Sequence, residues 1–419
     1  MLNNNNVQLN LNDLLVGLFC LYAFSMPFEL ILEYWFDIKT IFKPFRALAV
    51  TILTVYGWQR LRERSVNYYP DNYIDFFLYG VFAYGLFISA IRIIGGVFDV
   101  RLFYSDTFQI TLHVLTFFVF KNTKMNVRQG MKMLWFFVAG ISANALYVAY
   151  FFFVKQIFGR LSGFTDNPNY AAFGLVAATT FLLLRSNYAQ KFRYQIGYGG
   201  LTLFLIYIFI VTGSRTGLVM FILANIFIFW FSNIRRKLGL LSITVLMILI
   251  LLPQQLDKLK FGGPMILIRR VSQKLDSGEE DVRFIIWRGV FRMLEEEGYA
   301  GMGIGQYKAN FPKYYSNETH SLILEIVNRN YFLSTHNDYL AILADFGLPS
   351  LLLYLLFLFF SLKKAFRLLL YHADDPEEQF LRQFCFIIVC CIITFGFAAE
   401  NFAHQLYWFL LMFSTKEWR

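Results

Sequence analysis

The sequence predicts an all-α polytopic membrane protein of about twelve transmembrane helices. One long extracytoplasmic, partly helical loop is expected between spans nine and ten. Three observations carry this. The chain is 57% hydrophobic and only 16% charged, whereas a soluble domain carries about a quarter charged residues. Its mean hydropathy is positive, at +0.50. Apolar runs long enough to cross a hydrocarbon core recur along its whole length.

The runs centre near Phe24, Thr51, Tyr84, Val114, Val138, Val176, Tyr207, Leu223, Leu246, Leu352, Val389 and Trp408, the second and twelfth being short. The segment Met1 to Asn12 is polar and asparagine-rich without a basic n-region, so the first span is expected to be retained. Cys20, Cys385, Cys390 and Cys391 all fall in apolar runs. They read as core residues, since a disulfide framework would place them in exposed loops. Cys390 and Cys391, adjacent on a helix, face different directions and make a poor metal pair.

The net charge of +10 is read as topology rather than nucleic-acid binding, because basic short loops stay in the cytoplasm. The even-numbered connections hold the basic clusters, among them Arg60, Arg62 and Arg64, then Lys121, Lys124 and Arg128, and later Lys363, Lys364 and Arg367. They carry more than twice the Lys and Arg of the short odd ones. Both termini are therefore expected in the cytoplasm and the odd connections outside. This divides the chain into spans 1–9 over residues 1–253, an outer cap over 254–338, and spans 10–12 over 339–419.

The cap is expected to fold. Ser277 with Glu280 forms a capping box, and Phe284, Trp287, Phe291 and Leu294 then recur at helical spacing. Gly298 and the run Gly301-Met302-Gly303-Ile304-Gly305 end that helix. The glycine run follows no parallel-strand pattern, which argues against a dinucleotide site.

This topology puts several unusual side chains on the outer face. Arg160 opens a loop leading to Asn167-Pro168-Asn169, and Arg215 sits in Thr212-Gly213-Ser214-Arg215-Thr216-Gly217, a tight break between two apolar helices. Arg215 could snorkel to the headgroups. Alternatively, a helix N-terminus and an arginine fork would together make an anion site, the reading favoured for a charge at the membrane edge. Arg283, Arg288 and Arg292 could form a solvated helix face balanced by Glu295, Glu296 and Glu297. His336, in Ser334-Thr335-His336-Asn337-Asp338-Tyr339, titrates near neutral pH; it could equally bond locally to Asn337 or Asp338. Asp338 and Asp345 could orient it or cap the next helix.

In order along the chain stand Arg160…Asn167-Pro168-Asn169, Ser214-Arg215-Thr216-Gly217, Arg283-x-x-x-Trp287, Gly301-Met302-Gly303-Ile304-Gly305-x-Tyr307, His336-Asn337-Asp338-Tyr339-Leu340 and Asp345-Phe346-Gly347-Leu348. Together they resemble the O-antigen ligase and polymerase family from about Arg160 to Leu355; the first 150 residues resemble it in hydropathy only. That family comprises integral membrane enzymes that transfer glycans from undecaprenyl diphosphate at the outer face of the bacterial inner membrane. The resemblance implies that Arg215 and Arg283, helped by Arg160, neutralise the donor diphosphate. It implies that His336 takes the proton of the acceptor hydroxyl, with inversion and without a metal or other cofactor. Arg288, Asn169, Asn337 and Asp338 are expected to support these groups. The acceptor, lipid A–core or another glycan, is left open, and so is the choice among ligase, O-antigen or exopolysaccharide polymerase and protein O-oligosaccharyltransferase. Transport is the reading from another class. Its midplane candidates are Arg92 and Glu400-Asn401, but transporters place such charges within broken helices of repeated halves, which this sequence does not show.

Overall fold

The computed structural model describes residues 11–31, 43–63, 73–95, 99–157, 160–165, 167–232, 282–315, 334–371, 373–399, 402 and 404–418. Among these, the regular structure is helical throughout: α1 (Leu11–Ser25), α2 (Pro44–Glu63), α3 (Tyr73–Ile94), α4 (Val100–Asn122), α5 (Val127–Phe153), α6 (Pro168–Tyr188), α7 (Phe192–Thr212), α8 (Arg215–Phe231), α9 (Val282–Glu297), α10 (Gln306–Tyr315), α11 (Asp338–Leu370), α12 (Pro376–Gly396) and α13 (Gln405–Thr415). Helices α3, α5, α7, α11 and α12 are long and apolar enough to cross a membrane, and α1 and α8 are shorter apolar helices. The protein is a polytopic helical membrane protein. A described helix lies at each expected span centre except the ninth, Leu246, which falls outside the described residues, as do the Ser277–Glu280 box and Glu400-Asn401.

Lipid-facing helices keep apolar side chains outward, as with Phe76 and Phe87 on α3 or Ile222 and Ile226 on α8, which are about half exposed. Helices apolar all round are instead enclosed. All eleven residues of α13 are buried, and α6 is buried from Ala171 to Leu184. At 1.5 Å per residue α13 covers only about half the hydrocarbon thickness, so it lies inside a sleeve of other helices. Trp408 on α13 packs edge-on against Phe117 of α4 and stacks on His113.

One face of this bundle gathers helix ends rich in charge. Lys121 at the end of α4 donates to the Thr415 carbonyl at the end of α13 and pairs with Asp75 in the first turn of α3 at 3.5 Å. Arg185 at the end of α6 meets Glu377 at the start of α12 at 3.3 Å. Lys364 near the end of α11 meets Glu417 at 2.9 Å. The basic residues Lys121, Arg185 and Lys364, from three of the connections counted in the sequence, therefore share one face.

The opposite face carries the cap formed by α9 and α10, and a break in α11 seats it. Gly347 there has φ 83° and ψ 173°, a region open essentially to glycine alone, and Pro349 has no N–H to return to the Asp345 carbonyl. The groups released by the break bond to the cap instead. Met302 N–H reaches Ala344 O at 2.9 Å, Gly303 N–H reaches Asp345 O at 2.8 Å, and Leu348 N–H reaches Tyr299 O at 2.8 Å. Gly301 and Gly347 lie against each other so closely that a Cβ on either would strike the other's backbone or that of Ala300. The glycine run is thus the seam between cap and membrane helix. Ile304 N–H also bonds to Ser89 Oγ of α3 at 2.9 Å.

The cap helix α9 forms where the sequence expects it, but with a different buried stripe. Ile285, Ile286, Val290, Met293 and Leu294 are buried, whereas Phe284 and Phe291 are about half exposed. Of the expected stripe, Leu294 is buried and Trp287 packs against the same cluster, while Phe284 and Phe291 lie on a flank because the cap rests on α10 and α11, which Ile286, Val290 and Met293 face.

Candidate functional site

Two groups of residues flagged in the sequence are assembled on the cap face. The first forms at the start of α8. Gly213, at φ 60°, ends α7 in a left-handed turn with its N–H on Ile210 O, and Ser214 then caps α8 by accepting from Gly217 N–H at 3.1 Å. The Ser214 hydroxyl donates to Asn169 Oδ1 at 2.9 Å. Arg160 Nη2 donates to the same oxygen at 3.1 Å, while its Nε points to Thr212 O at 3.4 Å. The Arg160 loop is held beneath by Asn144 of α5, which accepts from Phe164 N–H at 2.8 Å and donates to Ser162 O at 3.2 Å. Arg160 and Asn169 therefore meet at the N-terminus of the helix that the half-buried Arg215 begins, where backbone N–H groups and the macrodipole favour an anion.

The second group surrounds His336. Trp287, one turn after Arg283 on α9, donates its indole N–H to Thr335 O at 3.1 Å. His336 itself has φ 51°, a left-handed conformation that costs a residue with a Cβ free energy. Its neighbours fix it there. Thr335 Oγ1 donates to Asn337 O at 2.8 Å, and His336 N–H bonds to Ser334 Oγ at 3.2 Å. Asn337 caps α11 by accepting from Leu340 N–H at 3.1 Å and holds Phe397 O at 3.3 Å. The imidazole is half-buried.

The carboxylates have other duties than the sequence offered them. Asp338 accepts from Phe402 N–H at 3.0 Å, so it anchors the segment between α12 and α13, and Asn337 is the cap. Asp345 accepts from Gly305 N–H at 3.1 Å and Tyr307 N–H at 2.8 Å, which ties the glycine run to α11 and starts α10. Glu297 does not balance the arginines of its own helix. It bonds Lys313 at 2.7 Å and Arg92 at 3.4 Å. The Lys313 ammonium holds the Glu297 carboxyl below the usual range, against the opposing effect of burial. Arg288 is exposed and, five residues on from Arg283, projects from another side of the helix.

Arg92 is accounted for structurally. Its guanidinium donates to the Glu297 carbonyl at 3.3 Å and to Gly301 O at 3.2 Å, capping the carboxyl end of α9.

The two groups are joined through the end of α12 and the residues after it. Phe395 packs on Tyr170 and Phe173 of α6, while Phe397 O is held by Asn337. Here lies a cluster that the sequence reading missed. His404 stacks on Tyr170 with centroids 3.6 Å apart and approaches Glu29 at 3.5 Å, and Glu29 also pairs with Lys43. A lone glutamate at the end of an apolar run was the available signal. Among the described residues, no three His, Cys, Asp or Glu side chains converge as a metal-ligand set would.

Residues 200–355 match the family model described as O-antigen ligase, a segment that contains Arg215, Arg283, the glycine run and His336. No curated protein matches the chain.

Proposed function

We propose, from the O-antigen ligase match over residues 200–355, that this protein moves a preassembled glycan from undecaprenyl diphosphate to an acceptor sugar. The matched family supports a glycosyltransferase of the ligase and polymerase type acting on lipid-linked glycans in a bacterial membrane. In the finer reading, the chain crosses the inner membrane twelve times with both termini in the cytoplasm. Residues 1–253 and 339–419 supply the spans, and residues 254–338 form a cap on the outer side.

The observation that carries the reading is the backbone of His336. A non-glycine backbone held in a left-handed conformation by its own N–H bond and by the hydrogen bonds of its flanking residues, at the mouth of a helix, is where strain accompanies function. His336 would accept the acceptor hydroxyl proton as that oxygen bonds to the anomeric carbon. The bond from that carbon to the diphosphate oxygen breaks in the same displacement, inverting the centre. Arg215 and Arg283 would stabilise the charge gathering on the departing diphosphate, with Arg160, fixed through Asn169, completing the anion site. Asn337 and Asp338 would support them by fixing the chain around His336, whereas Arg288, exposed on another side of α9, takes no part. Neutralisation by arginine is what makes the reaction metal-independent in this reading.

The test is reconstitution of the purified protein with a defined undecaprenyl-diphosphate glycan and competing acceptors, with and without EDTA. Extension of a lipid A–core acceptor in both conditions is the expected result. Extension of a second lipid-linked repeat would make the protein a polymerase, and of a protein hydroxyl an oligosaccharyltransferase. Absence of any transfer, or its loss with EDTA, would overturn the proposed mechanism.

A further inference from the structure

On the face opposite the cap, two adjoining cavities of about 330 and 310 Å³ open between the first turn of α3 and the last turns of α11. They share Ile74, Lys364, Leu368 and Glu417. The inner one is floored by cations already committed to the fold. Lys416 Nζ donates to the carbonyls of Phe120, Lys121 and Thr123, and Arg382 donates to the carbonyls of Leu368 and Tyr371. Asp75, Glu378 and Glu417 offset part of this charge.

The outer cavity is different in kind. Lys363, Lys364 and Arg367 line it with Glu417 as the one acid. Lys363 and Arg367 are both exposed and stand four residues apart on one helix face, an arrangement of like charges that destabilises a helix when nothing offsets it. Tyr73 and Tyr371, each more than half exposed, flank the opening, as aromatic side chains do at headgroup level. Phe360 of α11 lines the same cavity and stacks on Phe77 of α3 one turn further into the membrane, and their chain neighbours Phe359 and Phe76 present exposed apolar rings. The cleft thus offers cations at the interface and an apolar path directly below them. A soluble anion would use the first feature only; a phospholipid uses both.

We propose that this cleft binds an anionic phospholipid, its headgroup phosphate held by Lys363 and Arg367 and its acyl chains lying along Phe76 and Phe359. The site is independent of the glycan-transfer reading, and its test needs no activity. Full-length protein stripped of lipid in detergent is titrated with phosphatidylglycerol or phosphatidylethanolamine, and bound lipid is counted by native mass spectrometry. Phosphatidylglycerol is retained over phosphatidylethanolamine, and Lys363→Gln with Arg367→Gln weakens its retention roughly thirtyfold, two interfacial cations being lost. Arg193→Gln, an exposed base in the first turn of α7, leaves retention unchanged. The charge-keeping pair Lys363→Arg with Arg367→Lys retains lipid, which separates lost charge from lost folding. Equal retention of the two lipids, or undiminished retention by the double glutamine variant, overturns the proposal. Displacement of phosphatidylglycerol by an equal concentration of inorganic phosphate overturns the lipid as ligand.

Discussion

Arg215 gains its proposed role from neighbours that are distant in sequence. Ser214 caps the helix that begins at Arg215 and shares the Asn169 oxygen with Arg160. A point charge alone would not use this geometry, because a diphosphate is bound by a planar fork beside aligned N–H groups. Arg215→Lys is therefore expected to lower transfer about a hundredfold while donor binding falls less, as read from initial rates across donor concentration. The sequence made the arginine conspicuous through its flanking glycines. It could not show that Asn169 joins Arg160 to Ser214, because one amide oxygen accepting from two loops is a tertiary fact. The Glu29–His404 contact was hidden for the same reason: its partners are hundreds of residues apart and neither belongs to a local pattern.

At the scale of elements, the cap is held by the interruption of α11. The Asp345-Phe346-Gly347-Leu348 motif was legible as a pattern, and its mechanical meaning emerges from Pro349 and the three backbone bonds that cross to the cap, two of them to the glycine run and one to Tyr299. Gly347→Ala places a Cβ against the Ala300 backbone in a conformation that costs roughly 1–3 kcal/mol for such a residue. The cap should then undock, seen as faster amide exchange in α9 and α10 with α12 unchanged. A second clamp depends on pH. Glu297 has its folded-state pKa lowered by Lys313, so the stability it contributes is present above the ordinary carboxylate value of 4.5 and is lost as pH falls through the lowered one. Amide protection of α10 should fall on acidification below about 4.5, and Glu297→Gln should remove that dependence. Helix α9 was legible from its period, but not its buried side. Both flanks are apolar, and only the positions of α10 and α11 decide which one is covered.

For the whole molecule, hydropathy sufficed to give the class, since long apolar runs in this number have one physical use. The short α13 was harder to read because an enclosed helix needs no length matched to the bilayer. Charge counting expected the basic connections on one side, and ion pairs gather Lys121, Arg185 and Lys364, from three of those connections, on one face. The sidedness itself is testable. A cysteine at exposed Lys313 should react with an impermeant maleimide in intact cells once the outer membrane is made porous. One at exposed Lys191 should react only after the inner membrane is opened.

The central claim is that His336 is the base for glycan transfer beside an arginine-held diphosphate. Single-turnover transfer by His336→Ala in proteoliposomes, with lipid-linked donor binding measured on the same sample, tests it most directly. Transfer should fall by a factor of about 10²–10⁴, the range of general-base catalysis, with donor binding and thermal stability close to wild type. Transfer at the wild-type rate would contradict it.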